Sequence, residues 1–337
     1  MVSFIQAEQC EGFDLIGDIH GCGTTLIALL EKLGYRHEQG SYRHPRRVAI
    51  FLGDLIDRGP TIRLALQVVR RMVDAGAARV VMGNHEVHAL RHCLDDSGRV
   101  VTPREPHNAR ILHETLQQFS GCPREWADYL HWFLRMPLCL EYDGCRVVHA
   151  CWDESLLRPF LQRYPDGRID QHFLAAARQV GSFEQRTLDR VTRGVHLPLP
   201  QGRAIRSADG SIRHTFRAHF WAIDPITYGD VVFQPDPLPR DLEARALGEY
   251  ERQRLVHYGP DERPLFIGHY WCEGIPALPA ANIACLDYSA VRCGRLVAYR
   301  FDGHAALSAD RLVWLSPGDE ISELEKNSDI RSSAGNF

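Results

Sequence analysis

Three short apolar runs in the first ninety residues each lead into a cluster of acidic, imidazole or amide side chains. Phe13-Asp14-Leu15-Ile16 leads into Gly17-Asp18-Ile19-His20-Gly21, and Val48 to Leu52 leads into Gly53-Asp54-Leu55-Ile56-Asp57-Arg58-Gly59. Val80-Val81-Met82 leads into Gly83-Asn84-His85-Glu86. Helical patterns separate the runs. Leu26, Leu29, Leu30 and Leu33 share one face, with Thr24 or Thr25 as cap and Gly34 as stop; after Pro60, Ile62, Leu66, Val69 and Val73 recur to about Ala75. Strand, helix, strand, helix, strand in this order predicts a parallel sheet with right-handed crossovers. The carboxyl ends of such strands open on one crevice, so the three clusters should converge there. The glycines beside them permit tight turns.

What converges is chemically specific. Asp18 and Asp54 are carboxylates, His20 and His85 imidazoles and Asn84 an amide, with Arg58 as the nearby cation. Like charges at short range resist joint ionisation, and divalent cations remove that conflict. Two later strand ends repeat the pattern: His149 follows Val147-Val148, and His269 follows Phe266-Ile267-Gly268.

Composition narrows the class. The chain has 337 residues, 45% hydrophobic and 24% charged, with a formal net charge of −4. That is globular composition, and it excludes a general nucleic-acid coat or an electrostatic membrane binder, both of which need a basic surface. No positive charge precedes Lys32 and no apolar run approaches the ~20 residues of a membrane span, so a cytoplasmic location is expected. None of the ten cysteines forms a C-x-x-C pair, and they read as reduced thiols. Residues 104–136 read as helical. Residues 155–263, punctuated by prolines and glycines, read as an irregular elaboration or lid within one catalytic domain over 1–318. Strands return at Leu265–Ile267, Ile283–Leu286, Leu296–Phe301 and Leu312–Leu315, and 319–337 read as a polar tail.

GDIHG, GDLIDRG and GNHE in this order resemble the calcineurin-like metallophosphoesterases, in particular the bacterial type of the phosphoprotein-phosphatase branch, which also contains diadenosine tetraphosphate hydrolases. The resemblance implies an α/β fold: a β-sandwich of two mixed sheets flanked by helices. It implies that Asp18, His20 and Asp54 hold one metal and that Asp54, Asn84, His149 and His269 hold a second. His85 would be the general acid, oriented by Asp57, and Arg58 would hold phosphate oxygens. A second phosphate-binding arginine is expected between His149 and His269: Arg193 in Thr192-Arg193-Gly194 or Arg217 in Phe216-Arg217-Ala218. Asp287 would be an acceptor behind the ligands. Two divalent ions, with Mn2+ the first choice and Fe, Zn or Mg as alternatives, suit this oxygen-rich mixed site. They would support direct attack on phosphorus by hydroxide held between them.

The expected activity is hydrolysis of phosphomonoesters, with a Ser/Thr phosphoprotein phosphatase as the first reading and a bis(5'-nucleosyl)-tetraphosphatase as the alternative. The partner would be a phosphoprotein, a small phosphoester or a dinucleotide, with no general nucleic-acid or membrane binding; oligomeric state is left open. A catalytically dead scaffold is a third reading, opposed by the presence of His85, Asp57 and Arg58. Departures from the branch's pattern concern the pocket walls. Ala150-Cys151-Trp152 follows His149 where a glycine-rich turn is usual, and Tyr270 follows His269 where threonine is usual. Trp152 and Trp271 could stack a base or simply wall the pocket. His88 and His92, four apart, read as helix-surface residues, and Cys22 as a bystander.

Overall fold

The structure, a computed structural model, describes residues 11–206, 212–233, 238–291, 294–304 and 306–316. The tail expected over 319–337 lies outside the described residues.

Gly12–Ile16 runs through the middle of a six-stranded sheet, parallel to Arg47–Phe51, which is in turn parallel to Ala78–Val80. On its other side Gly12–Ile16 pairs antiparallel with Arg295–Phe301, which also carries Asp287–Tyr288 and Leu312–Leu315. A second, four-stranded sheet has the order Ile283–Cys285, Leu265–Ile267, Arg146–Val148, Cys139–Glu141, mixed in direction. The two sheets face each other. Leu15, Ile50, Val297 and Tyr299 of the first share one apolar core with Val147 and Phe266 of the second. Strand side chains alternate in direction, so Ile16 and Phe51, one residue on, enter the opposite, helix-covered core. This is the sandwich of two mixed sheets flanked by helices that the sequence implies.

Helices α1 (Gly23–Lys32) and α2 (Ile62–Asp74) cover that outer face. On α2, Ile62, Leu66, Val69 and Met72 are fully buried, each contributing roughly 1.5–3 kcal/mol of transfer free energy. Helix α1 starts at Gly23, before the expected threonine caps, and no side chain of its own N-cap closes it. The Gly23 N–H instead donates to Thr61 Oγ1 at 2.9 Å, a cap supplied from 38 residues on. The third strand is earlier than the sequence suggests: regular pairing covers Ala78–Val80, and Met82 N–H has already turned to Pro137 O.

Helix α3 (Asn84–Cys93) begins at the third cluster itself. The helical stretch after residue 104 resolves into α4 (Pro106–Ile111), α5 (His113–Phe119) and α6 (Pro123–Phe133). The reading of 155–263 as irregular needs correction over its first part. Helices α7 (Glu154–Arg163), α8 (Gln171–Ala176) and α9 (Phe183–Arg193) occupy it, N-capped by the side chains of Asp153, Asp170 and Ser182. A hairpin of Val195–Pro198 with Thr215–Ala218 follows. Ala150 N–H donates to Val191 O, fastening this layer to the end of the second sheet. No helix among the described residues is long and apolar enough to cross a membrane.

Candidate metal centre

The candidate ligands lie within a few residues of strand ends, Asn84 opening α3, and the loops that carry several of the others are tightly wound. His20, Asp54, Asp57, Arg58 and His269 all have left-handed φ values, between 41° and 69°. Non-glycine residues hold that conformation only where the surroundings over-determine it. Two glycines make room for the carboxylates: a Cβ at Gly83 would collide with Asp54 Oδ1, and one at Gly268 with Asp18 Oδ1.

Side chains meet in two overlapping groups, His20–Asp54–His85 and Asp54–His149–His269; Asp18, expected in the first, is in neither, and His85 stands in the first instead. In the first, His20 Nε2 lies 3.5 Å and His85 Nε2 3.9 Å from Asp54 Oδ2. In the second, His149 Nε2 lies 3.4 Å from Asp54 Oδ1 and 3.1 Å from Asn84 Oδ1, while His269 Nδ1 lies 2.7 Å from the same amide oxygen. Backbone carbonyls set the imidazoles: His20 Nδ1 donates to Ile56 O at 2.9 Å and His149 Nδ1 to Leu52 O at 2.6 Å, which turns each Nε2 inward. Asp18 accepts the His269 N–H through both carboxylate oxygens, at 3.3 and 3.2 Å, and so joins the two sheets at the site.

The electrostatics show what this cluster demands. Burial, Asp287 and Asp54 push the Asp18 carboxyl well above its usual range. Burial alone would lower the His149 imidazole, but Asp54 and Asp18 outweigh it and push it up to about 10. Burial would raise Asp54, yet the surrounding imidazoles, His149 first, hold it well below its ordinary value. Positive charge at the centre of the group is therefore stabilised. Separations of 3.1–3.5 Å between inward lone pairs are also those of atoms sharing one cation at about 2.0–2.2 Å. His269 Nε2 is a buried polar atom with no hydrogen-bond partner among the described residues. On donor chemistry and spacing, the residues fit divalent metal ions.

The expected acid, His85, is itself one of the first group. His85 Nδ1 is 2.6 Å from Asp57 Oδ2, and Arg58 reaches His20 Nε2 at 3.1 Å and His85 Nε2 at 3.2 Å. Burial opposes protonation of His85, but Asp54 and Asp57 raise it above its ordinary value. Asp287 is buried, accepts Ser289 N–H at 3.0 Å and repels Asp18, which places it behind the ligands. Arg193, the last residue of α9, is exposed in the cleft that opens from Arg58, Asn84 and His85. Arg217 sits instead behind His269, donating to its carbonyl at 3.0 Å, with its guanidinium 5.7 Å from the Tyr270 ring centre. Tyr270, the unusual residue after His269, is fully buried and bridges the hairpin, donating to Ala218 O at 3.2 Å. Trp152 is buried, its Nε1 donating to Glu154 and Arg146 lying over its ring, so it packs rather than faces the cleft.

Three contributors escape sequence reading. Glu86 is fully buried and accepts the backbone N–H groups of Asp54, Leu55 and Gly83, locking the second cluster to the third. Its only signal is its place three residues after Gly83, as in a capping box. Thr115 on α5 donates its hydroxyl to Asp57 Oδ1 and accepts the Asp57 N–H at 3.0 Å. Gln118, one turn on, takes the Ile62 N–H at 2.8 Å and donates to Gly59 O at 3.1 Å. Nothing local to α5 announces either residue.

Comparison with known proteins places this geometry. A family model for calcineurin-like phosphoesterases matches residues 13–200, more than half of the chain. A bis(5'-nucleosyl)-tetraphosphatase PrpE [asymmetrical] of Halalkalibacterium halodurans is 49% identical over 142 residues, 40% of this chain and 57% of that protein. The protein of the same name from Bacillus subtilis is 45% identical over 182 residues, 49% of this chain and 73% of its own length. The chain spans about half the length of several curated relatives it matches. Among solved structures, a protein serine/threonine phosphatase from Saccharomyces cerevisiae superposes with a TM-score of 0.50 at 14% identity, over 92% of this chain and 81% of that one, a likeness of fold. With the family model running from the first sheet strand through the helical layer over 154–193, the chain belongs to the calcineurin-like phosphoesterases.

Proposed function

We propose that this chain is a metal-dependent hydrolase of dinucleoside polyphosphates. The observation that carries this substrate class is the 45–49% identity to bis(5'-nucleosyl)-tetraphosphatases. It reverses the order of the two readings drawn from the motifs, in which a Ser/Thr phosphoprotein phosphatase stood first. The motifs serve both activities equally, because they describe only the chemistry at phosphorus.

In this reading Asp18, His20 and Asp54 hold one divalent ion, and Asp54, Asn84, His149 and His269 the other. When bound, such ions lower the pKa of water and neutralise charge on phosphate oxygens. The remaining work falls to the chain's own groups. Arg58, held between His20 and His85, offers its guanidinium to the oxygens of the attacked phosphate. His85, its Nδ1 side fixed by Asp57, presents Nε2 to the departing oxygen and delivers a proton there. Burial of the group keeps bulk water from screening these charges.

The test is turnover by the metal-loaded protein of diadenosine tetraphosphate against a phosphoserine peptide. A kcat/KM for the dinucleotide at least a hundredfold above that for the peptide is expected, and the reverse ratio would restore the phosphoprotein reading. Manganese, iron, zinc and magnesium should be supplied in parallel, since the donor set suits each.

A further inference from the structure

A cleft of about 500 Å³ leads outward from the metal-ligand group along α3. It begins at Arg58, Asn84 and His85, and its wall also holds Arg91, Arg110 and Arg193 against one carboxylate, Glu114. Arg91 is the telling residue. One of its amino groups meets Asp189 at 3.3 Å, but Nε and Nη2 are buried with no hydrogen-bond partner among the described residues. Guanidinium donors left unmatched in this way are costly, and the side chain that carries them is partly exposed and lines the cleft, where its charge attracts an anion. His88 and His92 stand on the same side of the helix with ring centres 4.4 Å apart. Burial holds His88 down to about 4, so near neutral pH it offers hydrogen bonds, not charge.

We propose that this cleft binds the linear polyphosphate chain of the substrate beyond the phosphate under attack, with Arg193 and Arg110 along its course and Arg91 as the far anchor. This rests on the dinucleoside polyphosphate reading for its natural ligand, though any linear polyphosphate shares the chemistry. The span fits: seven residues of helix from Asn84 to Arg91 rise about 10 Å, a length that a linked tetraphosphate covers. Beyond Arg91 a second cleft of about 620 Å³, which shares Arg91, His92 and Asn108 with the first, has room for the distal nucleoside. A peptide carrying one phosphoserine has no linked phosphate to extend along this wall toward Arg91, so the wall favours substrates with a continuous polyphosphate chain.

Two measurements on Arg91→Ala and on Arg110→Glu, a reversal at an exposed position, test the tract. Calorimetry of inorganic tripolyphosphate binding to the metal-free protein removes chelation as a cause and should show about a tenfold loss of affinity in each variant, the worth of one charge-assisted hydrogen bond. In the metal-loaded enzyme, the ratio of kcat/KM on diadenosine tetraphosphate to that on p-nitrophenyl phosphate should fall by about the same factor. Unchanged affinity in both variants, or an equal fall on both substrates, overturns the tract. If Arg91→Ala does not fold, Arg110→Glu decides alone. Wild-type protein that hydrolyses p-nitrophenyl phosphate but not the dinucleotide would sink the substrate reading, while a tripolyphosphate affinity lost in the variants would still support the tract.

Discussion

Asp57 has both carboxylate oxygens engaged, Oδ2 by His85 and Oδ1 by the Thr115 hydroxyl, and its own N–H returns to that hydroxyl. Thr115 touches no candidate ligand; it holds Asp57, which in the proposed mechanism orients the acid His85. Thr115→Val keeps the shape but leaves the N–H and Oδ1 of Asp57 unmatched, at about 1–3 kcal/mol each. The expected result is a kcat about tenfold lower with KM and metal content near wild type, and recovery in Thr115→Ser, which restores the hydroxyl. A parallel loss of metal would mean that the threonine supports the fold and not the acid. The contrast between Asp57 and Thr115 also shows what a sequence discloses at this scale. Asp18, Asp54, Asn84, His149 and His269 lie within a few residues of their strand ends, so the strand pattern finds them. Thr115 meets Asp57 across 58 residues, and a solitary threonine in an aromatic, polar helix carries no mark of that meeting. The expected second phosphate-binding arginine is a middle case: sequence names two candidates, and their settings differ only in three dimensions, Arg193 lining the cleft and Arg217 bonded to the His269 carbonyl.

Helix α3 does two jobs through one end. Its first turn brings Asn84 and His85 to the site, and Glu86, pointing inward, takes three backbone N–H groups from two loops at 2.8–3.0 Å. A carboxylate can accept all three, whereas an amide must turn its NH2 toward one of them. Glu86→Gln is therefore expected to lose about 1–3 kcal/mol, read as a midpoint shift in urea unfolding with unchanged slope. It should also weaken metal retention, because Asp54 sits on the loosened loop; full stability in the glutamine variant would show that the loop needs no such lock. At the scale of elements, the N-terminal strands and α2 were legible because their apolar periods are clean. Helices α7, α8 and α9 were not, although Asp153, Asp170 and Ser182 were standing as cap signals. Prolines at 198 and 200 drew attention to turns, while Pro159 lies inside α7. The cap of α1 could not be read locally, since it comes from Thr61.

The molecule's two sheets meet at the site as well as in the core. Asp18, His20 and Asp54 come from loops of the first sheet, Asn84 from the start of α3 and His149 and His269 from strand ends of the second, so cations held by these residues would bridge the seam. Continuous apolar runs made the strands visible in the sequence, but the juxtaposition of the two sheets was visible only through the motif resemblance, because no local pattern states which faces pack. Without cations, the seam holds Asp18, Asp54 and Asp287 in mutual repulsion, which is why burial and its neighbours drive Asp18 and Asp287 toward protonation. Metal binding to the native state alone adds RT ln(1 + [L]/Kd), about 2.7 kcal/mol at a hundredfold excess over Kd. Chelation should accordingly lower the thermal midpoint of the entire domain in one cooperative transition, by several degrees, rather than release a single loop. Asp54→Ala, which removes the carboxylate shared by both ligand groups, should melt at the same temperature with and without chelator. Two separate transitions after chelation would mean that the sheets are stable apart and that the cations serve chemistry alone. A single shifted transition would mean that the seam which assembles the site also closes the fold, so that activity and stability are lost together when the metal is withdrawn.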